Sequence, residues 1–450
     1  MTKRTKKQTK GKTIKRVFHE VKADAAGIDI GASEIFVAVP DDRDKKPIRK
    51  YLTFTQDLND CAKWLVECGI KTVAMESTGV YWIPVYDILE SYGLEVYLVN
   101  ARHVKNVPGR KTDVVDCQWL QYLHSVGLLR SSFRPDGEIV AIRSLYRHRE
   151  NLIRQNGSSI QHIQKSLTQM NVFIHNVISD IVGITGLAII EAIVKGQTNP
   201  QELLKFKNYR IKASDEDIVK SLTGNYKEEH IFTLKQALKT FHYFKDLIDD
   251  TDKEIEKLLL KFNSQTTNTL PPHKPSTAKN NNEPKFDLAN HLYRILGTDL
   301  TAINGVSSHT ANTIFTEIGF NLDKFKTVNH FTSWLGLSPN NKISGGKILS
   351  VKTLNSSNPI AKALRISAMT LSNSKSYLGN YYRKMRARLG APKAITAAAH
   401  KLARIIYSML LNKTPYDESV FAVQELKRQE KKKKAIINQA QALGLQVLET

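Results

Sequence analysis

The chain has 450 residues, enough for two or three domains that each bury a core. Sixty-six Lys and Arg against 43 Asp and Glu leave a formal charge of +23, which attracts polyanions and makes nucleic acid the first partner to weigh; a basic protein coating anionic lipid or ribosomal RNA without chemistry is the plain alternative. Cys61, Cys68 and Cys117, an odd number without CxxC spacing, suggest neither a zinc finger nor a disulfide framework, and no uncharged run approaches the ~20 residues of a membrane span. No apolar segment follows the basic N-terminus as a secretion signal requires, so a cytoplasmic location, at the nucleoid when bound to DNA, is expected.

Residues 1–22 are polar and like-charged and read as a disordered basic arm. From residue 23 to about 137 the pattern changes. AAGIDI, EIFVAVP and IRKYLTF read as three adjacent strands, two of them a hairpin. A helix at Leu58 to Cys68, a strand at Thr72 to Met75, a helix at Val85 to Tyr92, the strand EVYLVN and a helix from Thr112 to Val126 follow. The order βββαβαβα is that of an α/β RNase H-like (RuvC-like) mixed sheet; a Rossmann domain alternates from its first strand.

Residues 138–263 read as a long helical, coiled-coil middle. One stripe runs through Ile139, Ile142, Tyr146, Ile153, Ile160, Ile163 and Leu167, and another through Leu234, Leu238, Phe241, Ile248, Ile255, Leu258 and Phe262. The two stripes can pair with each other or bury against a second copy. Residues 264–286, rich in Pro, Asn, Ser and Thr, read as a linker or exposed loop. Residues 287–417 form a mainly α-helical C-terminal domain that opens on a helix-hairpin-helix-like segment whose turn amides suit a phosphate. It continues through a polar Gly-containing loop and a strand in GLSPNNKISGGKILSVKTL to helices near 358–374 and 393–412. Residues 418–450 are a charged tail.

The chemistry is carried by carboxylates. Asp29 sits inside the apolar strand GIDIGA, where a charge is costly unless it meets a cation. Glu76 ends the strand KTVAM before a Ser-Thr-Gly turn, and Asp113 and Asp116 share one face of a helix at i, i+3 spacing. Each has an ordinary reading: a solvated helix cap for Glu76, acids favoured by the helix dipole for Asp113 and Asp116. Together the four fit hard Mg²⁺ ions, two of which would clamp the attacking and leaving oxygens of a phosphodiester. GIDIGAS also resembles the first phosphate loop of actin-like ATPases and sugar kinases, but no second DxG strand or Gly-Gly adenosine segment accompanies it.

The segment MESTGVYWIPVYDILESYGLEVYLVNARHVKNVPGRKTDVVDCQWLQYLHSVGLL, with GIDIGA before it and GLSPNNKISGGK far after it, resembles the DEDD transposases of the insertion sequence one-ten family, the bridge-RNA-guided recombinases. The resemblance runs from about Ala25 to Phe133 and from about Leu296 to Pro415. It implies that Asp29, Glu76, Asp113 and Asp116 are the RuvC-like carboxylates holding Mg²⁺, and that Ser344 is a nucleophile that attacks a DNA phosphate, with Ser338 and Ser350 as neighbouring alternatives. It further implies donor and target double-stranded DNA, a structured guide RNA and a homo-oligomer, dimer or tetramer, as partners. Arg102, His103, Lys105, Arg110, Lys111 and Lys347 are expected to touch backbone phosphates, with solvated surface as the ordinary reading. A hydrolytic RuvC-like nuclease such as a Holliday-junction resolvase, and a non-catalytic nucleic-acid-binding assembly factor, are the competing functions.

Overall fold

A computed structural model describes residues 21–77, 79–100, 113–270 and 282–443, without the side chains of residues 113, 114, 422–429, 431 and 432. Most of the expected basic arm and half of the expected 264–286 linker therefore lie outside the described residues. The chain forms two compact units, Met1–Arg134 and Pro135–Thr450.

The first unit is a mixed sheet between helices. Its strands are β1 (Ala25–Ile30), β2 (Glu34–Ala38), β3 (Ile48–Leu52), β4 (Thr72–Glu76) and β5 (Glu95–Val99), and its helices α1 (Thr55–Glu67), α2 (Trp82–Ser91) and α3 (Asp113–Ser125). The spatial order is β3-β2-β1-β4-β5, with β2 antiparallel to β1 and β3, and β4 and β5 parallel to β1. This is consistent with the RNase H-like order expected from the strand and helix pattern.

Strand alternation divides the sheet into two faces. Ile28, Ile30, Val73 and Met75 join α1 and α2 residues such as Leu58, Leu65, Val85 and Leu89 in the larger core. On the other face Ala74 and Val99 pack with Leu120 and Leu123 of α3. The three cysteines are buried and free. Burial pushes the Cys61 thiol up to about 12, as expected of a reduced core thiol.

The second unit is mainly helical. Its longest elements are α4 (Gly137–Gln169) and α8 (Glu228–Lys261), with α5 (Ile184–Val194), α6 (Pro200–Leu204) and α7 (Asp215–Leu222) between them in sequence. α4 and α8 pack antiparallel: Arg149 meets Asp252 at one level and Ser166 meets Thr233 at another, so numbers rise in one helix as they fall in the other. The stripe on α8 is thus covered within the chain, which removes it as a ground for a second copy. Leu234, Leu238, Phe241, Ile255 and Phe262 are buried as expected, but Leu259 rather than Leu258 continues the stripe, and Asp252 is buried within it.

Beyond these come α9 (Leu288–Leu296), α10 (Ser308–Ile318), α11 (Val328–Trp334), β6 (Lys342–Ser344), β7 (Lys347–Ser350), α12 (Pro359–Thr370), α13 (Tyr377–Leu389), α14 (Ala391–Asn412) and α15 (Ser419–Ala442). Two features differ from the sequence expectation. The polar loop followed by a strand is instead a two-stranded antiparallel hairpin, because Gly345 and Gly346 both take left-handed φ (54° and 76°) and close a two-residue turn. α13 is a helix that hydrophobic periodicity did not reveal.

Candidate active site

Asp29 and Glu76 lie side by side at the C-terminal ends of neighbouring parallel strands. In the β1/β4 ladder Gly27 pairs with Ala74 and Ile28 with Met75, so one step further brings Asp29 opposite Glu76. Alternation puts both on the face that carries Ala74, the face covered by α3. Both side chains are half-buried.

α3 brings Asp116 to this face. The helix packs so closely on β1 that a Cβ at Gly27 would lie 2.4 Å from the Cys117 carbonyl oxygen and 2.3 Å from the Gln121 amide nitrogen. Only a residue without a side chain admits that approach. Gln121 Nε2 donates to the Ala25 carbonyl (3.2 Å), and His124 Nε2 lies 2.8 Å from the Thr72 hydroxyl, tying two further turns of the helix to β1 and β4. Asp116 stands next to Cys117 and is half-buried. The Cys117 thiol is pushed up to about 12 by burial, then by the negative charges of Asp29 and Asp116, which places both carboxylates within electrostatic reach of one sulfur atom.

Asp113 opens α3, one turn before Asp116, and its side chain lies outside the described residues. Arg102, His103, Lys105, Arg110 and Lys111 also lie outside them. Among the described residues no three acidic, His or Cys side chains gather closely enough to hold a metal ion. The donor set is nevertheless all hard carboxylate oxygen, the chemistry that suits Mg²⁺ rather than a soft metal.

In the second unit Ser344 is the last residue of β6, and its cross-strand partner is Lys347, the first of β7. Both are exposed. Of the three serines expected to compete for the nucleophile's place, Ser338 Oγ donates to Thr332 Oγ1 (3.0 Å) and Ser350 Oγ accepts from the Lys352 amide (3.3 Å). The Ser344 hydroxyl makes no hydrogen bond among the described residues.

Residues 26–172 match the family model of DEDD transposases of the IS110 type, and residues 297–383 match that of the transposase IS116/IS110/IS902 family. The chain belongs to the IS110 family of transposases. No curated protein matches it. Membership in this family makes the protein a DNA-processing enzyme whose substrate is DNA. None of the described helices is long and apolar enough to cross a membrane.

One signal escaped the sequence reading. Between Lys324 and Tyr416 there are sixteen Lys and Arg and no Asp or Glu. The whole-chain charge averages this away, whereas counting by segment exposes a stretch of sequence with no acid of its own; Lys324 at its start pairs with Asp136 from outside it (3.6 Å).

Proposed function

We propose that this transposase cuts and exchanges DNA strands by attack of the Ser344 hydroxyl on a backbone phosphate, with Asp29, Glu76, Asp113 and Asp116 as an Mg²⁺-holding carboxylate set. The observation that carries the reading is the side-by-side placement of Asp29 and Glu76 on the face where Gly27 admits the backbone of α3, the helix of Asp116. Four carboxylates without a metal would repel one another and the phosphate, so the set has a use only with a cation. When bound, Mg²⁺ supplies charge neutralisation at the phosphodiester.

The remaining steps fall to the chain's own residues. The Ser344 oxygen bonds to phosphorus as its proton passes to water, and the bond from phosphorus to the departing deoxyribose oxygen breaks. That oxygen takes a proton and becomes a free hydroxyl. The phosphoserine link conserves the bond energy for rejoining to another strand, which hydrolysis by a resolvase-like enzyme would lose. Lys347, across the ribbon from Ser344, supplies positive charge where the phosphate must sit.

Guidance by a structured RNA and assembly as a dimer or tetramer belong to the same reading and rest on the family resemblance. We also read α4 and α8 as an antiparallel coiled coil, supported by the heptad spacing of Ile139, Tyr146, Ile153, Ile160 and Leu167 against that of Leu234, Phe241, Ile248, Ile255 and Phe262.

The experiment is a trapping assay. With DNA from the ends of the element, nicked to prevent religation, copurified RNA and Mg²⁺, the protein becomes covalently joined to DNA through Ser344. Ser344→Ala removes the adduct while retaining DNA and RNA affinity. DNA cut with water as nucleophile and no adduct would hand the function to the hydrolase.

A further inference from the structure

The β6–β7 ribbon has two unlike faces. Cross-strand pairing puts Ile343 opposite Ile348 on one face and Ser344 opposite Lys347 on the other. Ile343 is 62% exposed and Ile348 63%; Leu349, left unpaired by a register shift in the ladder, and Val351 and Leu354 further along the chain are exposed as well. Apolar side chains at this density normally sit in a core or an interface.

The ribbon is anchored at its base and open at its tip. Leu335 and Leu337 are buried, Pro339 bridges to Thr353, and the Asn340 amide donates to the Lys352 carbonyl (3.1 Å). At the turn, a Cβ on Gly345 or Gly346 would meet nothing within 4 Å. A short two-stranded tip therefore stands in solvent with the β-branched Ile343 and Ile348 on one face.

Charge identifies its occupant. Lys342, Lys347 and Lys352 lie on or beside the ribbon and make no ion pair among the described residues, and the sequence around them from Lys324 to Tyr416 carries no acid. Apposing this surface to a second copy of itself would bring six lysines together without a carboxylate. A polyanion relieves them. Phosphates alone leave the isoleucines in water, whereas a nucleic acid offers both an anionic backbone and the flat apolar faces of its bases.

We propose that the β6–β7 tip is a wedge that enters an opened base step of duplex DNA, with Ile343 and Ile348 against the unstacked base and Lys347 on the phosphate that faces Ser344. Apolar wedges of this kind unstack and kink duplex DNA, at the cost of stacking energy regained in protein contact. The major groove of B-form DNA admits a two-stranded ribbon, and the deep, narrow major groove of A-form RNA does not. The wedge also gives the hairpin a task before the chemistry: it loosens the backbone at the step where Ser344 attacks. The wedge itself rests on the family's substrate, DNA, and its placement at the cleaved phosphate rests on the proposed role of Ser344.

The test uses the full-length protein and a mixed-sequence DNA duplex carrying 2-aminopurine in pyrimidine–purine steps, the steps that unstack most easily. Binding raises 2-aminopurine fluorescence. Ile343→Ser with Ile348→Ser removes at least half of that rise and lowers adduct formation roughly tenfold, with little change in affinity at low salt, where lysine contacts dominate. Ile343→Leu with Ile348→Leu keeps both signals, which shows that the serine variant fails through lost apolar surface and not through misfolding. Ser344→Ala keeps the fluorescence rise, so absence of any adduct in the wild type would overturn the proposed nucleophile and leave the wedge standing. An unchanged rise in the serine variant, an equal response to an RNA duplex of the same sequence, or dissociation of an oligomer by the serine variant in light scattering would overturn the wedge.

Discussion

Ser344 and Lys347 face each other across the two-glycine turn of an exposed hairpin, so the proposed nucleophile has a cation directly opposite it on the neighbouring strand. No other residue type in the hairpin tip carries charge. Lys347→Ala is expected to slow adduct formation by about tenfold or more, and Lys347→Arg to recover most of it, since the role is charge at the phosphate. Single-turnover rates at saturating DNA check this. A loss confined to DNA affinity would assign Lys347 to binding alone.

Metal dependence follows from the first unit. Asp29→Ala or Asp116→Ala should abolish adduct formation, and chelator-treated wild-type protein should behave in the same way until Mg²⁺ is restored. DNA binding should persist in all three, because phosphate contacts come from Lys and Arg. Filter binding beside the trapping assay separates the two. Wild-type cleavage in chelator would refute the carboxylate role.

Gly27 offers a test of how the site is positioned. Gly27→Ala places a methyl group 2.3 Å from the Gln121 amide nitrogen and 2.4 Å from the Cys117 carbonyl, both helix backbone atoms that cannot turn aside. α3 must shift outward, which should cost about 1–3 kcal/mol and carry Asp116 away from Asp29 and Glu76. Urea unfolding measures the first effect. Cleavage in protein that remains folded measures the second, and full activity there would show that Asp116 does not depend on this contact.

How much of this was legible in the sequence varies with the physics. The five strands and the long helices were readable because period-two and heptad patterns report burial directly. Asp29 stood out because a charge in an apolar strand is expensive. The hairpin was missed because its apolar residues are exposed, so they were not read as a strand pair although a Gly-Gly turn lay between them. α13 was missed because it buries little beyond Leu378, Gly379 and Tyr382 and is otherwise rich in Arg and Lys. Arg149 and Asp252 were missed because each looks like an interruption of an apolar stripe, and only the antiparallel register reveals that they meet.

His124 links stability to pH. Burial, then the nearby Lys22, lowers it from 6.5 to about 4, so the folded protein keeps the ring neutral where it bonds Thr72. An unfolded chain takes up a proton near its ordinary value while the folded one refuses it until about 4. The unfolded state therefore binds more protons in this window. The His124 contribution is complete above 6.5 and is lost as pH falls towards 4, by up to about 3 kcal/mol. His124→Gln, which keeps a hydrogen-bonding group without the titration, should flatten the slope of unfolding free energy between about pH 7 and pH 5. An unchanged slope would place the acid sensitivity elsewhere.

Arg149 and Asp252 form a buried pair in the middle of the two longest helices. Both are 3% exposed; Nε donates to Oδ1 at 2.5 Å, Nη2 to Oδ2 at 3.2 Å, and Nη2 also to the Asn282 carbonyl at 3.0 Å. Desolvating two ions offsets most of their attraction, so the pair adds little net stability, but either ion alone in that place is costly. Asp252→Ala should therefore destabilise the second unit by about 3–5 kcal/mol, while Arg149→Met with Asp252→Leu should restore most of the loss. A double-mutant cycle in urea measures the coupling. The apolar double variant also tests what the pair is for: it removes the charged layer between α4 and α8 and leaves the Ser166–Thr233 contact as a polar level, so altered helix packing or mixed oligomers at restored stability would assign the pair to specificity. Additive single effects with no coupling would instead show that the two side chains are independently solvated and that the ion pair does not hold the helices in register.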